Sequence, residues 1–238
     1  MPVLPIKPQQ VQLLNDSRVV WLVSYPRSGN TLLRLILKQC FDLRSASIYP
    51  NDLDGVKVLE DFVGHIEYGP GMQSWLDESK QLLVKTHELP TNDCPAIYVV
   101  RDGRAVCASL WEFYRRELPL DAIISGAHAF GTWAQHLAAW RPWDRPNTLM
   151  LRYEDLTNNL PVALDQISGF LGADIVHHRL PDREELAQRS GGRWVRQQHS
   201  QWRSLMGEQQ RKLFDYFNGE MMQMAHYDDV PFETALAG

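Results

Sequence analysis

Residues 19–38, VVWLVSYPRSGNTLLRLILK, carry the structural pattern around which the rest of the chain is organised. Its first five residues, VVWLV, form a nearly unbroken apolar run, which is typical of a strand buried on both faces of a parallel sheet. Ser24–Thr31 then interrupts the run with Pro, Gly and small hydroxyl residues. From Leu32 onwards, apolar residues alternate with Arg34 and Lys38, which predicts a helix with one polar edge. The order of strand, polar loop and helix indicates an α/β unit.

The loop between this strand and helix has the features of an anion-binding turn. Unpaired backbone N–H groups and the positive end of the helix meet there, and such a point binds phosphate or a similar anion. The loop nearly matches the pattern G-x-x-x-x-G-K-[ST], with Ser24 at the first Gly and Asn30 in place of the Lys. A cation is present instead at Arg27. The alternative interpretation is an ordinary strand–helix connection with a solvated arginine.

The remaining sequence alternates between predicted strands and helices. Further strands are predicted at 81–86, 96–100 and 148–151. Helices are predicted at 105–116, 127–140, 153–172, 184–189 and 208–224. Residues 41–80 carry many turn signals and are interpreted as an irregular substrate loop or lid. The pattern predicts one α/β domain over residues 1–238, with a central, mainly parallel sheet flanked by helices.

Composition and charge exclude several classes of protein. The 238 residues are 44% hydrophobic and 22% charged, as in an ordinary globular domain, and a net charge of −5 argues against nucleic-acid binding. Three cysteines without metal-ligand spacing favour a reduced, cytoplasmic setting and predict no metal site. No apolar run is long enough to cross a bilayer, so no membrane association is expected. Residues 1–17 are predicted as a loosely ordered arm without a secretory signal, and the last dozen as a tail.

Three polar residues lie shortly after predicted strands, namely Arg27, His87 and Arg101. In open parallel sheets, ligands bind beyond the carboxyl ends of the strands. We therefore expect these side chains to meet at one edge of the sheet.

Four segments in this order resemble the sulfotransferase family that uses 3′-phosphoadenosine 5′-phosphosulfate (PAPS). They are SYPRSGNT at 24–31, VKTH at 84–87, VVRDGRAVCAS at 99–109 and LRYEDL at 151–156. The resemblance spans roughly residues 19–160 and implies a P-loop-like sulfotransferase fold. It also implies that PAPS is the donor, that 3′-phosphoadenosine 5′-phosphate (PAP) is the product, and that no metal is required.

The resemblance assigns the donor site residue by residue. The phosphosulfate would be held by the first loop, namely Arg27, Ser28, Gly29, Asn30 and Thr31. Arg27 stands where the family usually has Lys and would neutralise charge on the bridging oxygen. The planar guanidinium of Arg is not equivalent to the compact ammonium of Lys.

Other family residues match positions further along the chain. Arg101 and Ser109 match the pair that binds the 3′-phosphate, and Tyr153 matches a residue near the adenine. His87 corresponds to the general base, a role that suits a side chain with an ordinary pKa of about 6.5. Lys85, which projects to the same side, resembles the lysine that contacts the transferring sulfuryl group.

The sequence departs from the family pattern at two places. Leu32 stands where many members have a Trp that stacks on adenine. The basic, Gly-containing segment of the family is present only in shortened form, at residues 189–194. The resemblance in this segment assigns Arg189 and Gly191 to the 3′-phosphate.

Three functions remain compatible with the sequence. The first is sulfuryl transfer to a hydroxyl or amine of a small-molecule acceptor, possibly an aromatic compound or a natural product, since residues 111–147 are rich in aromatic side chains. The second is an ATP-dependent small-molecule kinase of P-loop type, and the third is a non-catalytic PAP- or nucleotide-binding module. The oligomeric state is left open.

Overall fold

The computed structural model describes residues 16–49, 52–189 and 202–227. The predicted N-terminal arm lies outside these residues except for Asp16 and Ser17, and of the predicted C-terminal tail only Tyr227 is described.

The core of the fold is a five-stranded parallel sheet. Its strands are β1 (Val19–Val23), β2 (Ala46–Ser47), β3 (Leu82–Thr86), β4 (Ala96–Val100) and β5 (Thr148–Arg152). They lie in the order β2-β3-β1-β4-β5, and every neighbouring pair is parallel. The prediction of an α/β domain with a central, mainly parallel sheet is confirmed, and the strand predicted from VVWLV lies in the middle of the sheet.

Helices connect the strands. They are α1 (Asn30–Phe41), α2 (Lys57–Phe62), α3 (Pro70–Glu78), α4 (Gly103–Phe113), α5 (Leu120–Ile124), α6 (Trp133–Trp140), α7 (Tyr153–Asn158), α8 (Leu160–Leu171), α9 (Arg183–Arg189), α10 (Trp202–Leu205) and α11 (Glu208–Met224), with a 3₁₀-helix at Asp52–Gly55. None of the helices in the described part of the chain combines the length and apolar character needed to cross a bilayer.

The sheet is covered on both faces. Val19, Trp21 and Val23 of β1 belong to one hydrophobic cluster, and Val20 and Leu22 belong to the other. All five residues are at most 4% exposed, so both faces of the strand are buried. This arrangement explains why the strand is apolar without alternation.

Two predicted elements are wrong in extent. Residues 41–80 are not irregular: they contain β2, the 3₁₀-helix, α2 and α3. The helix predicted at 127–140 begins only at Trp133, because Gly131 has a φ of +66° and Thr132 forms a capping box with Gln135.

The helix predicted from 153 to 172 is two helices. α7 ends at Asn158, and α8 begins at Leu160 with Pro161 in its first turn. Because a proline lacks the N–H that a continuous helix needs, it suits the first turn of a new helix rather than the interior of one. The predicted end is confirmed, since Gly172 closes α8 with a φ of +63°.

Candidate active site

The loop between β1 and α1 has a backbone that requires glycine at one position. Gly29 precedes α1 with a φ of +109°, and a Cβ atom there would lie 2.5 Å from Cδ2 of Tyr153. Arg27 also adopts a positive φ, of 67°. The loop is thus a tight turn that packs against the ring of Tyr153, and α1 begins at the residue after Gly29.

Two buried polar atoms of this loop lack a partner. Among the described residues, Ser28 Oγ and Asn30 Oδ1 are buried without a hydrogen bond, whereas Asn30 Nδ2 donates to the carbonyl oxygen of Leu22 at 2.8 Å. A buried polar atom without a partner costs free energy, of the order of 1–3 kcal/mol. The hydroxyl of Ser28 is therefore available to donate a hydrogen bond to an anion such as a phosphosulfate, whereas Oδ1 of Asn30 can only accept one.

Two arginines meet beside the loop. Arg101, which directly follows β4, donates from Nη1 to the carbonyl oxygen of Arg27 at 3.0 Å. Its guanidinium lies 4.4 Å from the ring centroid of Tyr153. Arg27 Nε donates to Ser109 Oγ on α4 at 3.3 Å. Burial lowers the pKa of Arg27, and the like charge of Arg101 lowers it further, so an anion here would relieve both effects.

His87 reaches the same loop from the end of β3. Its Nδ1 lies 2.6 Å from the backbone carbonyl oxygen of Ser24. Because a carbonyl oxygen can only accept, Nδ1 carries the proton and Nε2 keeps its lone pair. Burial lowers the pKa of His87 to about 3, and the charge of Lys85 contributes. The imidazole is therefore neutral at pH 7, with Nε2 able to accept a proton.

A second histidine supports the backbone of the first. His136 Nε2 donates to the carbonyl oxygen of His87 at 3.1 Å, and its Nδ1 lies 2.7 Å from the hydroxyl of Tyr98. Burial lowers the pKa of His136 to about 4, so this ring is also neutral. The two hydrogen bonds, from Tyr98 to His136 and from His136 to the backbone of His87, hold the segment that carries His87 in place.

These neutral histidines predict a pH-dependent stability. Burial lowers the pKa of His65 to about 4, so His65, His87 and His136 stay neutral in the folded chain, whereas in the unfolded chain each binds a proton below about pH 6.5. We therefore expect the free energy of unfolding to fall as the pH drops from about 6.5 to about 4, by about 1.4 kcal/mol per pH unit for each histidine. Urea denaturation at several pH values measures this change in the free energy of unfolding.

The matched variant for this measurement is His136→Asn. It should reduce the slope by about 1.4 kcal/mol per pH unit, because one of the three histidines has been removed. A stability that is constant between pH 7 and pH 5 would contradict the neutral state of these rings.

Lys85 lies in a buried ion-pair network that the sequence did not reveal. Its Nζ is 2.5 Å from Oδ1 of Asp52, and Oδ2 of the same carboxylate is 2.5 Å from Nη1 of Arg34. The prediction that Arg34 lies on a polar helix edge is wrong, since its side chain is 0% exposed. Asp52 lies in the segment at 41–80 that carries turn signals, and no local pattern links it to Arg34 and Lys85, which are 18 and 33 positions away.

Aromatic rings flank His87. Tyr49 stacks on the imidazole with ring centroids 5.8 Å apart, and Phe130 meets it edge-on at 6.3 Å. The hydroxyl of Tyr49 also accepts a hydrogen bond from the backbone N–H of His87 at 2.9 Å. Phe113, 60% exposed, lies 5.2 Å from the guanidinium of Arg27. Two aromatic rings thus pack against the imidazole of His87.

The structure brings most of the predicted site residues to one place. Arg27, Ser28, Gly29, Asn30 and Thr31 occupy the loop and the first turn of α1, and contacts join this group to His87, Arg101, Ser109 and Tyr153. Leu32 is buried in the hydrophobic core and so offers no surface for base stacking. Gly191 and the side chain of Arg189 lie outside the described residues, and in the described part of the chain no cluster of three potential metal ligands occurs.

Known proteins resemble this chain in both sequence and fold. Sulfotransferase 4A1 of Homo sapiens is 25% identical over 173 residues, which cover 64% of this chain and 59% of the relative. Sulfotransferase 1A1 of Mus musculus is 29% identical over 139 residues, covering 46% of this chain and 47% of the relative. The chain thus spans somewhat more than half the length of the first of these relatives and somewhat less than half of the second.

Solved structures share the fold at lower identity. Mouse sulfotransferase SULT7A1, complexed with PAP, superposes with a TM-score of 0.62 at 18% identity, over 92% of this chain and 91% of that one. Retinol dehydratase, in a complex with retinol and PAP, gives a TM-score of 0.57 at 19% identity, over 89% and 83%. The model of the sulfotransferase domain family matches residues 17–226, which include the whole sheet and the site built on it. The chain therefore belongs to the sulfotransferase domain family.

Proposed function

We propose that this chain transfers a sulfuryl group from PAPS to a hydroxyl or amine of a small-molecule acceptor and releases PAP. The observation that carries the proposal is the contact between His87 and Ser24, which places a neutral imidazole 2.6 Å from the backbone of the anion-binding loop. The named relatives are sulfotransferases, and two neighbours in fold were solved with PAP. They support the proposal by similarity.

The donor site follows from the loop and the two arginines. The backbone N–H groups at the start of α1, with Ser28, Asn30 and Thr31, would hold the phosphosulfate. Arg101 and Ser109 would bind the 3′-phosphate, and Tyr153, beneath the guanidinium of Arg101, would border the adenosine. We retain Arg189 and Gly191 as predicted contacts of the 3′-phosphate.

The chemistry needs a base and positive charge. PAPS supplies an activated sulfuryl group, and the chain supplies alignment and charge stabilisation. Nε2 of His87 would take the proton of the acceptor, because Nδ1 is already committed to the carbonyl oxygen of Ser24. Arg27 and Lys85 would stabilise the negative charge that develops during the transfer.

The acceptor would lie between the aromatic rings beside His87. Tyr49 comes from the segment at 41–80, which we propose to be the substrate loop, and Phe130 comes from the region at 111–147. Their flat apolar faces favour an aromatic acceptor. We place the reaction in the cytoplasm, in keeping with three free cysteines.

Incubation with sulfur-labelled PAPS and a panel of phenols, alcohols and amines tests the proposal. We expect PAP to form together with a labelled acceptor. If calorimetry shows no PAPS binding and no PAP is formed, the proposal is lost. ATP turnover that depends on magnesium would favour a kinase instead, and PAP binding without transfer to any acceptor would favour a binding module.

The 3′-phosphate assignment makes a separate prediction. Arg101→Ala removes a charge-assisted hydrogen-bond donor worth about 1.5–3 kcal/mol, so PAP should bind roughly 10- to 150-fold more weakly. Adenosine 5′-phosphosulfate, which lacks the 3′-phosphate, should lose much less. Calorimetry with both ligands gives the comparison, with the exposed Arg179→Ala as the control variant. Equal losses for the two ligands would show that Arg101 does not contact the 3′-phosphate.

A further inference from the structure

The ammonium of Lys85 has a buried carboxylate as its neighbour. Lys85 is the fourth residue of β3, and Asp52 begins the 3₁₀-helix that follows β2. Their charged atoms lie 2.5 Å apart, and their side chains are only 10% and 7% exposed. A carboxylate from a different segment thus takes one side of the lysine that the proposed reaction uses.

Arg34 holds this carboxylate from the other side. Its Nη1 bonds to Oδ2 of Asp52, its Nε donates to Ser45 Oγ at 2.8 Å, and its Nη2 lies 2.9 Å from Nδ1 of His65. Burial lowers the pKa of His65 to about 4, so this ring is neutral and Nδ1 can accept from the guanidinium. The arginine is thereby fixed in one orientation, and the position of Asp52 is fixed with it.

The charges around Lys85 show why the carboxylate matters. Arg34 lies behind Asp52, Arg27 lies in the donor loop, His87 at the end of β3 is neutral, and the ring of Tyr49 is 5.7 Å from Nζ. Burial lowers the pKa of Lys85, Asp52 opposes this shift, and Arg34 and Arg27 add to it. Burial and like charges both favour loss of the proton, and Asp52 is the nearby group that retains it.

We propose that Asp52 is a positioning residue for sulfuryl transfer, which keeps the ammonium of Lys85 charged and in place and is itself fixed by Arg34. The inference rests on the proposed function, in which Lys85 contacts the transferring group. One carboxylate between two cations leaves a net positive charge, so the arrangement holds Lys85 without cancelling the attraction for an anion.

The first test measures the protonation of Lys85 directly. Asp52→Asn keeps the shape of the side chain and removes its charge, so the neutral fraction of Lys85 should rise. Acetylation of lysines by an N-hydroxysuccinimide ester at pH 8, quantified peptide by peptide by mass spectrometry, should be faster at Lys85 in this variant than in the native chain, because the loss of the carboxylate lowers the pKa of Lys85 further. Asp42→Asn, which breaks the surface pair with Lys38 on α1, should leave the rate at Lys85 unchanged.

The second test measures turnover and ligand binding. Asp52→Asn should lower kcat roughly 100-fold, with a further fall as the pH rises, while the affinity for PAP stays within about twofold because PAP lacks the sulfuryl group. Asp52→Glu, which keeps the charge, should recover part of kcat and remove the added pH dependence.

Defined outcomes overturn the inference. They are an unchanged acetylation rate at Lys85, a kcat as high as that of the native chain, or a loss of PAP affinity equal to the loss of kcat. If Asp52→Asn does not fold, the double variant Arg34→Met with Asp52→Asn takes its place, because it leaves no buried guanidinium unpaired. Acetylation needs neither donor nor acceptor, so it tests whether Asp52 keeps Lys85 charged even where the proposed reaction is wrong.

Discussion

Replacing His87 by alanine is expected to lower kcat by about 10²- to 10⁴-fold, the usual contribution of a positioned general base. The affinity for PAP should stay within about twofold, because His87 contacts the loop through the carbonyl oxygen of Ser24 and not through the groups that would bind phosphate. Steady-state turnover and calorimetry with PAP measure the two quantities. The exposed His178→Ala serves as the control and should match the native chain.

The pH dependence of kcat tests the same role in the native chain. A general base acts when it is neutral, which for His87 means above its pKa of about 3. We therefore expect no rise of kcat with pH between 6 and 8 from this group, in contrast to a histidine with an ordinary pKa of about 6.5. Near-native turnover of His87→Ala would show that His87 is not the base. A kcat that rises about threefold between pH 6 and pH 7, as an ordinary pKa of about 6.5 requires, would contradict its lowered pKa.

Most of the sheet could be predicted from the sequence because β1, β3 and β4 are buried along their whole length, and β5, although only partly buried, is also rich in apolar residues. β1, β3, β4 and β5 are short apolar runs of at most six residues, bounded by turn residues. β2 was missed because it consists of only two residues, Ala46 and Ser47, which carry no pattern of their own. Ala46 and Ser47 form a strand only because they pair with Val84 and Lys85 of β3.

The meeting of Arg27, His87 and Arg101 could be predicted for a different reason. Each residue follows a strand, and the ends of parallel strands lie at one edge of the sheet. Arg34 and Asp52 could not be found in this way, since helical periodicity places a charged residue on the outer face. Only the contact between α1 and the segment after β2 shows that the two charges meet inside the protein.

Replacing Arg34 by methionine is expected to lower the free energy of unfolding by about 3–5 kcal/mol, the usual cost of breaking a buried ion pair. The variant keeps much of the side-chain volume but leaves Oδ2 of Asp52, and the oxygen and nitrogen atoms of Ser45 and His65, without the guanidinium they contact. Urea denaturation at pH 7 measures the loss.

The matched control is Lys38→Met, one turn further along α1. Lys38 pairs with Asp42 at the surface, where an ion pair contributes at most about 1 kcal/mol, so this variant should unfold close to the native midpoint. Equal midpoints for the two variants would show that the buried network adds no more to stability than the surface pair.

The pH dependence of the stability lost in Arg34→Met shows how much of the loss comes from the charges of Arg34, Asp52 and Lys85 and how much comes from packing. Burial alone would raise the pKa of Asp52, but Lys85 and Arg34 outweigh it, and the pKa lies below its ordinary value of 3.8. The stability that a lowered carboxylate pKa contributes is present above pH 3.8 and is lost as the pH falls through the folded pKa. The difference between Arg34→Met and the native chain should therefore be largest near pH 7 and shrink in acid. A difference that is the same at pH 7 and at pH values well below 3.8 would assign the role of Arg34 to packing. Asp52 would then lack the fixed support that its proposed hold on Lys85 requires.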